Sequence, residues 1–363
     1  MENFADIIEI NLVTEPGLGT GKRVNRKTQP IRWRLWLLGI ILLLALGAGL
    51  WNEMNTSFWQ SYYLSRYAEK LSYTVEPGPS REIVFPKYGP FNTQRGYDRI
   101  PDFQRRLEAG YFTVKEQARF SPELLKIAEK GITPPFESKP AAGLLIRDVS
   151  GAVVYDAAAG SQEYKAFEDI PPLIVKALLF IEDRELGNKE LAFKNPVINW
   201  ERFSLASLLY VANKAGIPVK VEGGSTLATQ LEKYRYSPDG NTGSGFEKLR
   251  QMASAMLRVY KDGPETLGAR EKIILDYINT APLAAVPGRG EIYGIGEGFL
   301  SWFGLNSNDV SIALFSPDTY PEKAKVFKQA LTLLCAVKAP TYYMIQNYPA
   351  LETRVSGYIN LME

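Results

Sequence analysis

An uninterrupted apolar stretch lies near the start of the chain. The segment LWLLGIILLLALGAGLW, residues 35–51, contains no charged residue. As a helix at about 1.5 Å per residue it would extend about 25 Å, which is the short end of a membrane span. The pattern predicts one N-terminal transmembrane helix over 35–51. A cleaved signal peptide is the alternative, because residues 45–47 offer a tolerable cleavage site.

After this stretch, the spacing of apolar positions indicates two kinds of element. Residues 142–157 alternate about Ser150 and Gly151, which predicts a β-hairpin. The apolar positions that follow have a helical period, and the predicted helices are 171–186, 200–214, 226–236, 246–260, 269–279 and 325–337. The predicted fold class is mainly α, with a small β-hairpin before one domain over 142–363.

Residues 52–141 are rich in tyrosine, proline and turn signals. The segment 121–131 predicts a short helix, with Ser121 at its N-cap and Pro122 in its first turn. No pattern in this region indicates chemistry. We therefore treat 52–141 as a membrane-proximal region of unknown role.

The distribution of charge predicts the orientation of the chain in the membrane and argues against nucleic acid as a partner. Six basic residues lie shortly before the apolar stretch, and the next one after it is Arg66. The positive-inside rule then makes residues 1–34 a cytoplasmic tail and places the rest across the membrane. The formal net charge is +2, so no global field attracts nucleic acid, and we expect no nucleic-acid partner.

The chain contains no histidine. This excludes imidazole bases, Ser-His-Asp triads and nearly all zinc sites. Catalysis would therefore depend on carboxylates, lysine, tyrosine or serine. The one cysteine, Cys335, lies in an apolar run and is expected to be structural.

Glu182 is the first candidate for chemistry. It follows five apolar residues at the end of a predicted helix, and apolar surroundings disfavour a charged carboxyl, which suits a general acid or base. The alternative is an exposed acidic helix end beside Arg184.

A polar helix start in EGGSTLATQLEKY is the second candidate. Two glycines allow a tight turn before Ser225 and Thr226, and the free N–H groups of a helix start favour an anion. Thr226, Gln230 and Lys233 follow each other at four and three residues, so one helical face carries a hydroxyl, an amide and a cation. That face suits a phosphate or diphosphate. The alternative is an ordinary capped surface helix.

Five ordered segments, IEDRE, GGSTLATQLEK, EKLRQ, ILDYIN and YGIGEGFLSWFG, resemble the motifs of the peptidoglycan glycosyltransferases of family 51. These are the transglycosylase domains of class A penicillin-binding proteins and the monofunctional transglycosylases. The resemblance covers 142–363. It implies a lysozyme-like fold that polymerises lipid II, a disaccharide-pentapeptide on an undecaprenyl diphosphate, into glycan strands.

The resemblance also implies partners and a location. The expected partners are lipid II, the growing glycan strand, the membrane and other cell-wall synthesis proteins. The expected location is the bacterial inner membrane, with a single span and a periplasmic catalytic domain.

Residue roles also follow from the resemblance. Glu182 matches the base that takes the proton from the acceptor sugar's 4-hydroxyl, and Asp183 matches its neighbouring aspartate. Gly224 belongs to the second motif. The positions that match those holding the donor diphosphate are Ser225, Thr226, Gln230, Lys233 and Lys248.

The third motif departs from the family pattern Arg-Lys-x-x-Glu. It reads Glu247-Lys248-Leu249-Arg250-Gln251, so an uncharged amide replaces the family's second glutamate. Positions 247 and 251 lie one turn apart on a helix. Our hypothesis is that Glu247 and Arg250 supply the missing charges in the site beside Gln251. The alternative is a weak or inactive site.

A divalent cation, Mg or Mn, is a candidate cofactor by the same resemblance, with Asp276 or Glu247 as replacement ligands because hard cations prefer carboxylate oxygen. Two other functions stay open. One is a degenerate transglycosylase fold that serves as a scaffold. The other is a lysozyme-like lytic enzyme with Glu182 as general acid, against which a diphosphate-binding helix start argues.

The segment 199–221 lies where the family has a membrane-dipping jaw. Its apolar residues include Trp200, Phe203, Leu205, Leu208 and Tyr210. They predict either contact with lipid or a helix that faces the core.

Overall fold

The structure is a computed structural model that describes residues 32–82, 89–137, 145–156, 162–217 and 224–362. The chain divides into two compact units, residues 1–50 and 51–363. The predicted tail, apart from its last three residues, and the ends of the predicted hairpin segment lie outside the described residues.

The helices of the described segments are α1 (Arg32–Thr56), α2 (Phe58–Glu69), α3 (Pro90–Arg95), α4 (Ile100–Ala109), α5 (Pro122–Glu129), α6 (Pro172–Glu182), α7 (Trp200–Lys214), α8 (Leu227–Tyr236), α9 (Gly245–Val259), α10 (Leu267–Thr280), α11 (Ile295–Phe303), α12 (Ser307–Phe315), α13 (Lys323–Ala336) and α14 (Tyr348–Met362). The strands are β1 (Tyr73–Pro77), β2 (Glu116–Phe120), β3 (Leu145–Arg147), β4 (Val153–Asp156), β5 (Pro282–Val286) and β6 (Gly290–Tyr293). The predicted fold class, mainly α, is confirmed.

The described part of the first unit is the beginning of α1. A helix over Trp33–Thr56 is long and apolar enough to cross a membrane, and none of its most apolar window is buried. It includes the predicted span 35–51 and continues beyond it. A signal sequence near an N-terminus has the same length and composition, so both interpretations of the apolar stretch remain.

The second unit has a main core built by its helices. α13 lies at the centre of this core, because consecutive residues from Ala330 to Val337 are buried. The largest side chains that are fully buried in the core include Tyr260, Tyr277 and Phe299. A helix that is apolar on every side requires partners all round, which α6, α11, α12 and α14 supply by packing against α13.

Three two-stranded antiparallel sheets complete the described elements. The predicted hairpin is β3 and β4, with Leu145 opposite Asp156. The pairs β1–β2 and β5–β6 were not predicted. Tyr73 pairs with Phe120 across 47 residues, and α3 and α4 lie between the two strands, so no single turn signal indicates the pair.

The region 51–137 packs directly on the helices that follow residue 142. Leu257 of α9 shares a buried cluster with Ala68, Leu71, Leu124 and Ile127. α2 packs on α9, and α3 packs on α8. The short helix predicted over 121–131 is α5, where the Ser121 side chain accepts a hydrogen bond from Leu124 N. Residues 51–137 thus belong to the same compact unit as the predicted catalytic domain.

Candidate active site

Glu182 ends α6, and its carboxylate is half-buried. Gln230 Nε2 of α8 donates to Glu182 Oε2 at 3.1 Å. The Gln230 carbonyl oxygen in turn accepts from the Tyr234 hydroxyl at 3.3 Å and from the Tyr277 hydroxyl at 3.5 Å. Because two phenols donate to the amide oxygen, the amide nitrogen is directed at the carboxylate. The structure therefore brings together Glu182 and Gln230, two residues that the sequence assigned to the site separately.

Asp183 lies on the other side of the helix end. It is 7% exposed and lines a polar cavity of about 10 Å³ together with Thr226 and Arg270. Burial raises the pKa of Asp183 to about 6, and the attraction of the Arg202 guanidinium opposes this shift. The two adjacent carboxyls thus have different surroundings. Glu182 is partly open, whereas Asp183 belongs to the interior.

Lys233 lies near Glu182, and Lys248 lies near Lys233. Lys248 Nζ of α9 donates to Ser225 Oγ at 2.7 Å. Burial lowers the pKa of Lys248 to about 8, and repulsion from Lys233 adds to the shift. Burial also lowers the pKa of Lys233, against the attraction of the Glu182 carboxylate. Within the described residues, no carboxylate lies within 4.0 Å of either ammonium nitrogen. Two half-buried cations without an ion-pair partner suit an anionic ligand.

Gly224 allows the start of α8 to lie close to the backbone of α7. A Cβ at residue 224 would lie 3.2 Å from the Arg202 carbonyl oxygen and 3.3 Å from the Phe203 Cα. Contacts that tight require the α7 backbone to give way, so only glycine fits without a shift. The other glycine of the predicted turn, Gly223, lies outside the described residues.

The Thr226 hydroxyl was predicted to face a ligand, but it has a different partner in the structure. It is the N-cap of α8, but its side chain makes no capping hydrogen bond. Its hydroxyl is 2% exposed and donates to the Val197 carbonyl oxygen at 2.8 Å. The predicted face of a hydroxyl, an amide and a cation therefore includes Gln230 and Lys233 without the Thr226 hydroxyl. Ser225 provides the hydroxyl instead, through its contact with Lys248.

Gln251, in place of the family's glutamate, is buried in a neutral network. It is 4% exposed. Its Nε2 donates to Ser237 Oγ at 2.7 Å and to Thr242 Oγ1 at 3.0 Å. An amide donates two hydrogen bonds here, and a carboxylate cannot donate any. Gln251 thus stabilises the loop between α8 and α9 and is not turned toward the lysines.

Glu247 and Arg250 make contacts of another kind. Glu247 Oε2 accepts from Gly243 N at 2.7 Å, while Glu247 N donates to Ser244 Oγ at 3.1 Å. This is a capping arrangement at the start of α9. The Arg250 guanidinium lies 4.9 Å from the Phe246 ring centroid and next to Gly131. Our hypothesis of exchanged charges finds no support in these contacts, because neither side chain is placed against the lysine pair.

The described residues do not fit a resident divalent cation. They contain no group of three or more histidine, cysteine, aspartate or glutamate side chains that could hold a metal. Asp276, one proposed ligand, forms an ion pair with Arg235 at 3.0 Å, and Glu247 caps α9. The Mg or Mn cofactor stays a prediction, and the chemistry proposed below includes no step through it.

Three further residues shape the site and were not predicted to belong to it. Tyr234 and Tyr277 hold the Gln230 amide, and Arg202 Nη1 donates to the Glu182 carbonyl oxygen at 3.1 Å. Tyr234 follows Gln230 by four residues on α8, so helical spacing could have indicated it. Nothing in the local pattern indicated Arg202, because it belongs to another helix.

The fold and this site together define a mainly helical protein with a carboxylate beside paired cations. A family model described as Transglycosylase matches residues 150–363. The match covers more than half of the chain, and the chain belongs to this family. It is therefore a glycosyltransferase-type enzyme of peptidoglycan synthesis with a lysozyme-like fold, as the motifs predicted. A search of curated proteins found no match.

Proposed function

We propose that this enzyme polymerises lipid II into glycan strands at the outer face of the bacterial inner membrane. The observation that supports this best is the arrangement around Glu182. A half-buried carboxylate lies beside Lys233, and Lys233 lies close enough to Lys248 to affect its pKa. A base next to one cation, with a second cation near the first, suits a reaction in which a hydroxyl loses a proton while a diphosphate leaves.

In the proposed reaction, the Glu182 carboxylate takes the proton from the 4-hydroxyl of the acceptor sugar. The oxygen attacks the anomeric carbon of the donor and forms the new glycosidic bond. The bond from that carbon to the diphosphate oxygen breaks, and the electron pair leaves with the polyprenyl diphosphate. Lys233 and Lys248 stabilise the leaving negative charge, and Ser225, bonded to Lys248, orients the second ammonium group.

Gln230 has a positioning role in this proposal. Its amide donates to Glu182 Oε2, so the other carboxylate oxygen remains available to the acceptor hydroxyl. The phenols of Tyr234 and Tyr277 prevent the amide from turning over. Asp183, buried behind the site, would position the end of α6.

α7 is proposed to contact the lipid part of the substrate. Trp200 and Phe203 pack on the core, whereas Leu205, Leu208 and Val211 are exposed. One side of α7 thus packs on the core, and another side is exposed. The exposed side chains suit the polyprenyl tail and the lipid around it. The Tyr210 side chain lies outside the described residues.

A scaffold without turnover is the second candidate function. Gln251 is buried in a neutral network, and the carboxylate of Glu247 caps a helix. No acid of the third motif therefore joins the lysine pair among the described residues. A site that lacks this acid would bind lipid II through the lysines and fail to complete the transfer.

Polymerisation of labelled lipid II by the full chain in detergent tests the proposal. We compare wild type with Glu182→Gln, each with magnesium and with a chelator. The variant keeps the shape of the side chain but removes the base, so its rate should fall by about 10²–10⁴-fold, the usual contribution of a general base. Glu190→Gln, the same change at an exposed carboxylate, is the control and should polymerise like wild type.

Polymer from wild type and Glu190→Gln but not from Glu182→Gln supports the transferase. Bound lipid II with no polymer from any of the three supports the scaffold. Equal polymerisation by Glu182→Gln contradicts the proposed base. Loss of polymer in chelator alone would assign a role to a cation.

A further inference from the structure

α2 has a continuous exposed face of aromatic side chains. The exposed fractions run from 37% for Tyr67 to 62% for Tyr63. Positions 58, 59, 62, 63 and 67 follow the helical spacing of one surface. We call these side chains the α2 aromatic face, and its members are Phe58, Trp59, Tyr62, Tyr63 and Tyr67.

Four rings of this face, those of Phe58, Trp59, Tyr62 and Tyr63, contact one another. Trp59 stacks on Tyr63 with centroids 6.0 Å apart, and Tyr62 meets Tyr63 edge-on at 5.2 Å. The Arg66 guanidinium lies 4.5 Å from the Tyr62 ring centroid. The face is therefore one contiguous surface with a cation at its border, and such exposed patches mark interaction sites.

The opposite side of α2 is fixed to the rest of the unit. Ala68 is buried in the cluster with Leu257, and Leu64 packs against that cluster. Asn195 N donates to Ser57 Oγ at 3.0 Å, and Asn195 Nδ2 donates to Gln60 Oε1 at 2.9 Å. The aromatic face cannot turn inward without breaking these contacts.

The start of α2 is also built as a rigid bend. Ser57 has a φ of 53° and is fully buried. This left-handed conformation is uncommon for serine. The Glu53 carboxylate accepts from Trp59 N and from Gln60 N, each at 2.9 Å. These bonds satisfy donors that a helix start leaves unpaired, so α2 leaves the bend in a fixed direction.

The connection along the chain indicates what covers the aromatic face. Phe58 follows Trp51, the last residue of the apolar stretch, by seven residues, which is about 10 Å along a helix. Because the apolar stretch of about 25 Å is shorter than the ~30 Å hydrocarbon core, part of this distance still lies within the core. The headgroup layer of a bilayer is about 5–8 Å thick on each side. Tryptophan and tyrosine are enriched at this level because their rings are apolar and their N–H and O–H groups are polar.

We propose that the α2 aromatic face lies in the phospholipid headgroup layer of the membrane that α1 enters. This inference depends on the proposed membrane anchoring of the chain. It gives the first part of the region 52–141 a role, which is to hold the catalytic unit against the membrane surface by a rigid contact in addition to the span.

Spin labels on single cysteines test this placement in the full chain in phospholipid nanodiscs. Cys335, the only native cysteine, is 1% exposed, so the spin label reacts mainly with the introduced cysteine. The labelled variants are Tyr63→Cys on the face, Tyr111→Cys as an exposed tyrosine elsewhere, and Leu42→Cys in α1. Accessibility to oxygen, which enters lipid, is compared with accessibility to a charged nickel complex, which does not.

We expect a marked loss of nickel accessibility at position 63 relative to position 111, with oxygen accessibility at 63 between the values at 111 and 42. Equal nickel accessibility at 63 and 111, with 42 in lipid, overturns the inference but leaves the proposed span intact. An aqueous label at 42 overturns both. Dipolar broadening between labels at 63 would show a second copy on this face, and it also overturns the inference.

Discussion

At the scale of single residues, Lys248 connects the proposed chemistry to pH. Its pKa is lowered to about 8, so the ammonium loses its charge above pH 8 instead of near 10.5. The charged form is the one that binds a diphosphate. We therefore expect kcat/KM for lipid II to fall as pH rises through about 8.

Lys248→Arg should keep the rate at higher pH, because a guanidinium stays protonated. Lys189→Arg, at an exposed site, should retain the wild-type profile. A pH profile that is the same in wild type and Lys248→Arg would rule out Lys248 as the titrating group.

Asp183 connects pH to stability. Its pKa is about 6 in the folded protein against 3.8 for the free side chain, so folding favours the neutral form. The contribution is favourable at low pH and is lost as pH rises through about 6, at a cost of up to about 3 kcal/mol. Asp183→Asn removes the charge, so its stability relative to wild type should increase between pH 4 and 7.

Urea unfolding in detergent at these pH values measures the difference. Asp262→Asn, at an exposed carboxylate, should show no such trend. A constant difference between Asp183→Asn and wild type at all pH values would mean that burial does not raise this pKa.

These residues also show how much of the site the sequence could predict. Gln230 contacts Glu182, and Lys233 lies near both Glu182 and Lys248. Helical spacing put Gln230 and Lys233 on one face, whereas the choice of Glu182 and Lys248 as partners depended on the family resemblance. Thr226 and Arg250 do not join them. Helical spacing allowed both side chains to face a ligand. Instead, the Thr226 hydroxyl donates to the Val197 carbonyl oxygen, and the Arg250 guanidinium lies next to Gly131.

At the scale of elements, α8 and α9 are joined by a buried ion pair. Arg258 Nε donates to Glu232 Oε1 at 2.8 Å, and Glu232 is 4% exposed. The same guanidinium donates to the carbonyl oxygens of Phe136 and Pro134. One arginine thus connects the lysine-bearing helix α8 to α9 and to the region before residue 142.

Arg258→Met should destabilise the protein by about 3–5 kcal/mol, because it leaves a buried carboxylate without a partner. The double variant Arg258→Met, Glu232→Leu should recover much of this loss, since no unpaired charge remains. Urea unfolding of the wild type, both single variants and the double variant measures the coupling. Additive effects would show that the ion pair does not couple the helices.

Hairpins mark the limit of prediction at this scale. The hairpin of β3 and β4 was predicted because its two strands alternate about one turn. β1 and β2 were not, because α3 and α4 lie between them in the chain. β5 and β6 are a local pair, and the Pro287-Gly288 dipeptide between them is a turn signal that could have indicated it.

At the scale of the whole molecule, the region 51–137 behaves as part of the catalytic unit. Its apolar residues pack against Leu257, and the Phe136 carbonyl oxygen accepts a hydrogen bond from the Arg258 guanidinium. Its Arg95 forms an ion pair with Glu163 at 2.7 Å. A fragment of residues 142–363 should therefore unfold at a lower temperature than a fragment of residues 51–363. Its α8 and α9 amides should exchange faster with solvent.

Thermal unfolding and hydrogen exchange of the two fragments give the comparison. Equal unfolding temperatures and equal protection of α8 and α9 would show that the region before residue 142 is an independent module.

The sequence by itself determined the apolar stretch near the N-terminus, the mainly helical class and the family. Each of these depends on local spacing or on ordered motifs. Only the tertiary structure decided that Gln251 is a buried structural amide, that Glu247 caps α9, and that residues 51–137 hold α8 and α9. Those outcomes depend on contacts between distant segments, such as Thr133 N donating to Ser254 Oγ across 121 residues, and no local pattern encodes such a contact.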